Sequence, residues 1–358
     1  MNSSPQKDAI LGCLLGTAVG DAIGLPAEGL SRKRVAAMKL GEHHRFILGH
    51  GMFSDDTEHT LMLATSLSEH RNNPGAMQST LGWKLRWWLL ALPAGVGLST
   101  AKAILRLWIG FPAAKAGVYS AGNGAAMRSA IIGVVFDEDG SKRQAFALAA
   151  CRLTHRDPRA EESALLTHRD PRAEESALLV AEAASMAARL VPMHEVLPGL
   201  EKLIISEEMR VRFAELKTAL STKKSVRDYV VAIGCGYGVS GFAPNTVAVA
   251  LFAWLRHRGD FETAVRSVIQ CGGDTDTVAA ITGAICGSET GEAGIPRAWI
   301  DGICDWPRSV DHIRRVADAL ASEHRRDPRY FWPAVPLRNL LFLVIVILHG
   351  FRRMLPPY

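Results

Sequence analysis

The sequence predicts an all-α protein folded as a single multi-helix domain, and three observations carry that prediction. Apolar residues recur in segment after segment at the i, i+3, i+4 spacing of a buried helix face. Runs alternating apolar and polar residues, the mark of a half-buried strand, are scarce. In a chain of 358 residues no stretch rich in Pro, Ser or Gly is long enough to act as a linker. Residues 8–335 therefore read as one domain, with 336–358 as an apolar tail packed on it.

The opening stretch GTAVGDAIGLPAEG (16–29) lacks the strand-to-helix context of a dinucleotide-binding fingerprint. Its glycines suit close helix packing, which leaves Asp21 and Glu28 to be explained. Helices are expected at 57–70, 78–92, 99–109 and 142–153, separated by NNPG (72–75), the glycines at 95 and 97, and AGNG (121–124). Further helices are expected at 172–190, 194–205, 209–220 and 225–233, then, after GCGYG (234–238), at 245–257, 260–270, 277–287 and 308–322. Near the C-terminus the run LLFLVIVIL, Leu340 to Leu348, precedes Arg352 and Arg353. A membrane span needs about 20 residues, so a buried core segment is expected there, with a membrane-surface tether as the lesser alternative.

One segment interrupts the pattern. THRDPRAEESALL stands at 154–166 and again, letter for letter, at 167–179. Solenoid repeats diverge and are longer, so this reads as a recent local duplication or a sequence-assembly error. Thirteen residues make about 3.6 turns, and a continuous helix through both copies would turn its apolar face away from the core. Pro171 forbids such a helix. The long helix is expected to begin near Pro171 with Asp170 as its N-cap, and either His155 or His168 can hold the functional place.

Composition narrows the function. At 48% hydrophobic and 22% charged residues the chain has the balance of a globular protein with a substantial core. Its net charge is +5, but Arg and Lys are scattered, so no nucleic-acid partner is expected; a mild positive field suits an anionic ligand such as a diphosphate. The six cysteines are widely spaced and form no CxxC pair, which reads as reduced thiols in a cytoplasmic protein. The polar start MNSSPQKD does not read as a secretory signal. Neither stable membrane insertion nor a stable oligomer is expected.

The chemistry-bearing residues form two acidic clusters. GGDTDT (272–277) sets Asp274, Asp276 and Thr277 on a glycine turn that runs into an apolar helix. SDDT (54–57) sets Ser54, Asp55 and Asp56 before another. Asp is a common helix N-cap, which explains either cluster alone but explains both together poorly. Close carboxylates repel unless a cation lies between them, and hard oxygen donors suit Mg²⁺ or Mn²⁺ better than zinc. Two such helix starts facing each other would supply six oxygen ligands, enough for a two-metal site that activates water. AGNGAAMR (121–128) offers backbone amides and Asn123 as an anion cradle, and a plain loop remains open. Tyr237 and Phe242 are candidates for stacking on a base, or for the core.

Five stretches in this order resemble the ADP-ribosylglycohydrolase family: GCLLGTAVGDAIGLPAEG, SDDTEHT, SAGNGAAMRSA, THRDPRAE and GGDTDTVAAITGAICG. The resemblance implies an orthogonally packed all-α fold with a binuclear Mg²⁺ (or Mn²⁺) centre held by Ser54, Asp55, Asp56, Asp274, Asp276 and Thr277. It also implies hydrolysis of the bond joining ADP-ribose to a protein side chain, often arginine, or to a small compound. In its light Glu28 is similar to a flexible-loop glutamate that assists catalysis, Gly122, Asn123 and Gly124 to the ADP-ribose loop, and the His of THRDP to a ribose contact. Asp56 or Asp276 is then the expected base, and the doubled THRDP departs from the family. Two rival readings fit the residues less well. A prenyl-diphosphate enzyme needs DDxxD along a helix, whereas DDTEH ends in His59. A non-catalytic ADP-ribose binder has no need of every carboxylate.

Overall fold

The structure, a computed structural model, describes residues 5–156, 172–322 and 328–356, and 67% of the chain is helical. The first half carries α1 (Pro5–Gly24), α2 (Arg32–Ala37), α3 (Asp55–Glu69), α4 (Pro74–Leu90), α5 (Leu98–Trp108), α6 (Ala113–Ala116), α7 (Ala130–Val135) and α8 (Gly140–Arg152). Then come α9 (Arg172–Ala188), α10 (Met193–Glu201), α11 (Glu207–Ser221), α12 (Val226–Ala232), α13 (Ala243–Arg256) and α14 (Phe261–Ile269). The chain closes with α15 (Thr275–Thr290), α16 (Arg297–Asp301), α17 (Val310–Ala321) and α18 (Ala334–Arg352). The twelve helices expected from periodicity are all present, their ends differing by four residues or fewer.

The glycines of the opening stretch pack helices as expected. Gly12, Gly16, Gly20 and Gly24 lie one turn apart along α1 and meet Gly287, Gly283, Ala279 and Thr275 of the antiparallel α15. A Cβ on Gly16 would stand 2.1 Å from the Gly283 carbonyl oxygen, and one on Gly20 2.1 Å from that of Ala279. Only a hydrogen fits between the two backbones. This pair forms the centre of the domain: Ile10, Leu14, Leu15, Ala18, Ala279, Ile281 and Ile285 are buried around it.

The one sheet among the described residues is small and placed at the cleft. β1 (Leu30–Ser31) pairs antiparallel with β2 (Gly272–Gly273), with Leu30 opposite Gly273. Gly272 and Gly273 both have positive φ, +73° and +87°, and a Cβ on Gly273 would lie 2.1 Å from the Val239 oxygen. Glycine is required twice over there, by backbone angle and by space. The turn delivers Asp274 to the mouth of α15.

Three expectations need correction. The run Leu340–Leu348 is not a buried core segment. It belongs to α18, nineteen residues long, which buries only the stripe Ala334, Val335, Arg338, Asn339, Phe342 and Ile345. Leu340, Leu341, Leu343, Val344, Val346, Ile347 and Leu348 stay exposed. By length and composition alone this helix and the buried segment Pro5–Ala27 are each apolar enough to cross a membrane. A boundary at residue 335 also cuts one continuous helix, because α18 begins at Ala334. Finally α15 starts at Thr275 rather than at residue 277, so Asp276 lies inside its first turn.

The duplicated segment is described only at its two ends. α9 begins at Arg172, immediately after Pro171. His155 is described, while His168 and the expected N-cap Asp170 lie outside the described residues. The two ends lie side by side, since Arg152 of α8 pairs with Glu174 of α9 at 2.7 Å.

Candidate active site

The first acidic cluster is held by a residue the motifs did not assign. Asp21, fully buried in the last turn of α1, accepts hydrogen bonds from the Ser54 amide at 2.9 Å, the Thr57 amide at 3.1 Å and the Thr57 hydroxyl at 2.6 Å. A carboxylate here is unfavourable for the C-terminal end of α1 but caps the positive N-terminal end of α3. Burial lifts its pKa to about 6 against those hydrogen bonds, which act to lower it. The sequence signal was a lone Asp within an apolar helix, visible but without a role until α3 is placed.

The second cluster meets the first across the cleft. The Thr277 hydroxyl donates to Asp56 Oδ2 at 3.2 Å, and Ser54 Oγ donates to the same oxygen at 3.3 Å. Asp274 occupies the N-cap of α15, yet its side chain caps nothing; it accepts instead from Asn123 Nδ2 at 2.6 Å. Simple capping therefore does not explain GGDTDT. Asn123 in turn reaches Thr246 Oγ1 at 3.1 Å, and its amide donates to the Gly241 carbonyl at 3.0 Å. The residue expected to cradle an anion is also a brace for a cluster carboxylate.

The donor set fits a hard cation. Asp56 Oδ1 and Asp276 Oδ1 are buried with no hydrogen-bond partner, which is costly for ionised oxygens unless a cation faces them. Burial, followed by neighbouring carboxylates, raises the pKa values of Asp55, Asp56 and Asp276 well above the ordinary range. Among the described residues no three Asp, Glu, His or Cys side chains stand close enough together to hold a metal ion by themselves. Mg²⁺ keeps several waters and takes few protein carboxylates, so a loosely gathered set of carboxylates and hydroxyls suits it.

Around the cluster lie the other sequence-selected residues. Gly122 and Gly124 lie against the His155 ring, where an added Cβ would fall 3.4 Å and 3.1 Å from ring atoms. Arg128, fully buried, clamps this loop by donating to the Gly124 carbonyl at 2.6 Å, the Ala150 carbonyl at 2.9 Å and Thr154 Oγ1 at 2.7 Å. Thr154 Oγ1, which accepts from Arg128, also lies within hydrogen-bond distance of His155 Nδ1, at 2.8 Å, and Nε2 is the ring nitrogen nearest Gly122. Burial and the Arg128 charge hold the His155 pKa at about 3, so the ring is neutral. Tyr237 is 96% exposed. Phe242 bridges to Gly122 instead, with Arg172 and Arg212 over its ring.

Glu28 follows the turn Leu25–Ala27 and is exposed to the cleft. Enough protein still surrounds it to raise its pKa by desolvation and by the Asp274 charge, offset by Arg353. Arg353 is the second contributor that the motifs missed. It follows α18, donates to the Pro26 carbonyl at 3.3 Å, and attracts Glu28 and Asp276.

Fold and site together define an all-α protein whose acidic cluster lies between two helix starts. The chain belongs to the ADP-ribosylglycohydrolase family, whose sequence model matches residues 2–166 and 159–329. The two matches overlap inside the duplicated stretch, as they should if one copy is additional to the family pattern. An uncharacterized protein of Archaeoglobus fulgidus is 32% identical over 90% of this chain and 98% of its own length. The ADP-ribosyl-[dinitrogen reductase] glycohydrolase of Rhodospirillum rubrum is 26% identical over 89% of this chain and 98% of its own. The ADP-ribosylarginine hydrolase Tri1 of Pseudomonas putida is 25% identical over 87% of this chain and 78% of its own. A solved structure titled ADP-ribosylglycohydrolase-related protein complex superimposes with a TM-score of 0.67 at 27% identity, covering 88% of this chain and 97% of that one. Membership makes the chain a hydrolase that removes ADP-ribose.

Proposed function

We propose that this hydrolase is Mg²⁺-dependent and cleaves the N-glycosidic bond between ADP-ribose and an arginine side chain of a modified protein. The observation that carries the metal half is the pair of partnerless buried oxygens, Asp56 Oδ1 and Asp276 Oδ1, in a cleft crowded with carboxylates. Support for arginine comes from the Pseudomonas putida relative, named an ADP-ribosylarginine hydrolase.

Ser54, Asp55, Asp56, Asp274, Asp276 and Thr277 would hold two ions. When bound, they would neutralise the cluster and acidify a water at neutral pH. Gly122 and Gly124 pack their loop against the His155 ring, and ADP-ribose would lie along this wall. Asp56 or Asp276 takes the proton from the attacking water. The glycosidic C–N bond breaks through an oxocarbenium-like transition state, and the guanidine nitrogen leaves with a proton. Glu28, exposed to the cleft and with an upward-shifted pKa, can carry that proton.

Release of free ADP-ribose from an arginine-modified protein, followed with Mg²⁺ and with EDTA, tests this reading. Turnover that survives EDTA rejects the metal. Release from a serine-modified protein but not from the arginine-modified one rejects the linkage, and binding of ADP-ribose without any turnover rejects catalysis.

A further inference from the structure

The exposed side of α18 belongs to a wider apolar surface. Trp87 on α4 contacts three other tryptophans: Trp83 at 5.8 Å, Trp108 of α5 at 6.2 Å and Trp332, just before α18, at 5.9 Å between ring centroids. All four are partly exposed. Leu90, Leu92, Leu105 and Ile109 extend the surface along α4 and α5, and Leu340, Leu341, Val344 and Ile347 extend it along α18. Exposed apolar residues gathered in this way mark protein or membrane interaction sites.

Its charge is one-sided. No Asp or Glu occurs between Glu69 and Asp137, the stretch that builds α4 and α5, and none follows Asp327. The same segments supply Lys102, Lys115, Arg329 and Arg352, all exposed. The family match ends at residue 329, so α18 lies beyond it.

The helix is fixed lengthwise on the domain. Near its start Arg338 pairs with Asp305 at 3.1 Å and Asn339 donates to the Ala91 carbonyl at 2.7 Å; near its end His349 meets the Phe46 carbonyl at 2.5 Å. A helix tied at both ends along the protein surface lies flat rather than spanning a bilayer.

We propose that the α4–α5–α18 face docks this protein onto the surface of a membrane containing anionic phospholipids, with α18 in the plane of the interface. Tryptophans are favoured at the level of the headgroups. Leu, Val and Ile of α18 enter the acyl boundary, and the unopposed cations meet lipid phosphate. A second copy is the poorer occupant, since a two-fold interface would set the same cations against each other. The end of α18 delivers Arg353 beside Glu28, so docking fixes how the cleft is turned relative to the membrane. The inference is independent of the metal and of the linkage proposed above.

Flotation of the full chain with phosphatidylcholine vesicles, with and without phosphatidylglycerol, tests it. Co-flotation with the anionic vesicles is expected, falling about tenfold in high salt or with neutral vesicles. The variant L341D/I347D should lose flotation about tenfold while keeping its melting temperature, because both side chains are solvent-facing. K102E/K115E should weaken it without touching the apolar face. A chain that stays in the aqueous fraction with every vesicle overturns the proposal. A dimer in solution that L341D/I347D dissolves assigns the face to a second copy and also overturns it. Retention on the vesicles through alkaline carbonate extraction points to a spanning helix and overturns the flat placement.

Discussion

The Thr57 hydroxyl donates to the buried Asp21 carboxylate at 2.6 Å, tying the last turn of α1 to the first turn of α3. Two α3 amides end on the same carboxylate, so Asp21 sets where Ser54, Asp55 and Asp56 point. D21A is expected to cost about 2 kcal/mol, the upper range for a helix cap, and to weaken Mg²⁺ binding tenfold or more, as loss of an outer-shell partner does, on the order of 10–100-fold. D21N keeps an acceptor and should fall between. Thermal unfolding and a Mg²⁺ titration of activity read both. A D21A enzyme with unchanged Mg²⁺ dependence would remove Asp21 from the site.

Without a cation beside them, the buried carboxylates of Asp56 and Asp276 oppose folding, and the proposed metal would relieve them. Each has a partnerless buried oxygen, and Asp274 is a repulsive neighbour of both. D56A and D276A are therefore expected to melt at or above the wild type in EDTA. Neither should gain stability from Mg²⁺, and turnover should drop more than about a hundredfold. Calorimetric unfolding in EDTA and in Mg²⁺ checks this. A variant destabilised in EDTA yet still stabilised by Mg²⁺ contradicts it.

At the proposed metal site, proton and cation would compete for the same oxygens. Asp21, at about 6, and Asp55, Asp56 and Asp276 all have raised folded-state pKa values, with burial as the leading cause. Their contribution to metal-free stability is fully present below the unfolded carboxyl pKa of about 4 and is lost as pH rises through the folded values. His155, held at about 3 by burial, has the opposite sign: its contribution fades as pH falls below the unfolded value of about 6.5. Comparing metal-free and Mg²⁺-bound protein at each pH cancels the histidine. The stabilisation by Mg²⁺ is expected to grow from about pH 5.5 to pH 8, because fewer protons must be displaced. A shift independent of pH would mean that the ion binds elsewhere.

Close approach of α1 and α15 makes their glycines unforgiving. A Cβ on Gly20 would stand 2.1 Å from the Ala279 oxygen, which is backbone and cannot swing away. G20A is expected to cost more than about 3 kcal/mol, the scale of an overpacked core, and to disturb metal binding, since α15 carries Asp276. Gly29, with nothing within 4 Å of an added Cβ, supplies the comparison: G29A should cost only the strain of its φ of +71°, about 1 kcal/mol. Equal losses in the two variants would refute the close-contact argument.

Local rules made much of this architecture readable in the sequence. GGDTDT and SDDT stood out because turn residues, carboxylates and an apolar helix follow each other within a few positions. α1 was harder, because its buried face is made of glycines, which weaken helix signals while permitting the contact that stabilises it. Asp21 and Arg353 could not be assigned, since their roles exist only once α1, α3 and α18 are brought together. α18 misled for another reason: a run apolar on every side carries no periodicity to separate its buried stripe from its open face.

The duplication supplies the last test. His155 of the first copy faces Gly122 and Gly124, while Arg172, Glu174 and Glu175 of the second copy open α9. Arg152 and Glu174 pair at 2.7 Å, and Cys151 packs with Ala173, so the flanks of residues 157–171 already touch. Removing 13 residues, one copy of THRDPRAEESALL, still leaves a single His after Thr154 and the same residues to start the helix. The shortened chain is expected to fold with its stability within about 1 kcal/mol of the original, because connection length enters only logarithmically. It should also bind ADP-ribose with equal affinity. Loss of binding in a shortened chain that unfolds normally would show that the second copy supplies the cleft with something His155 does not.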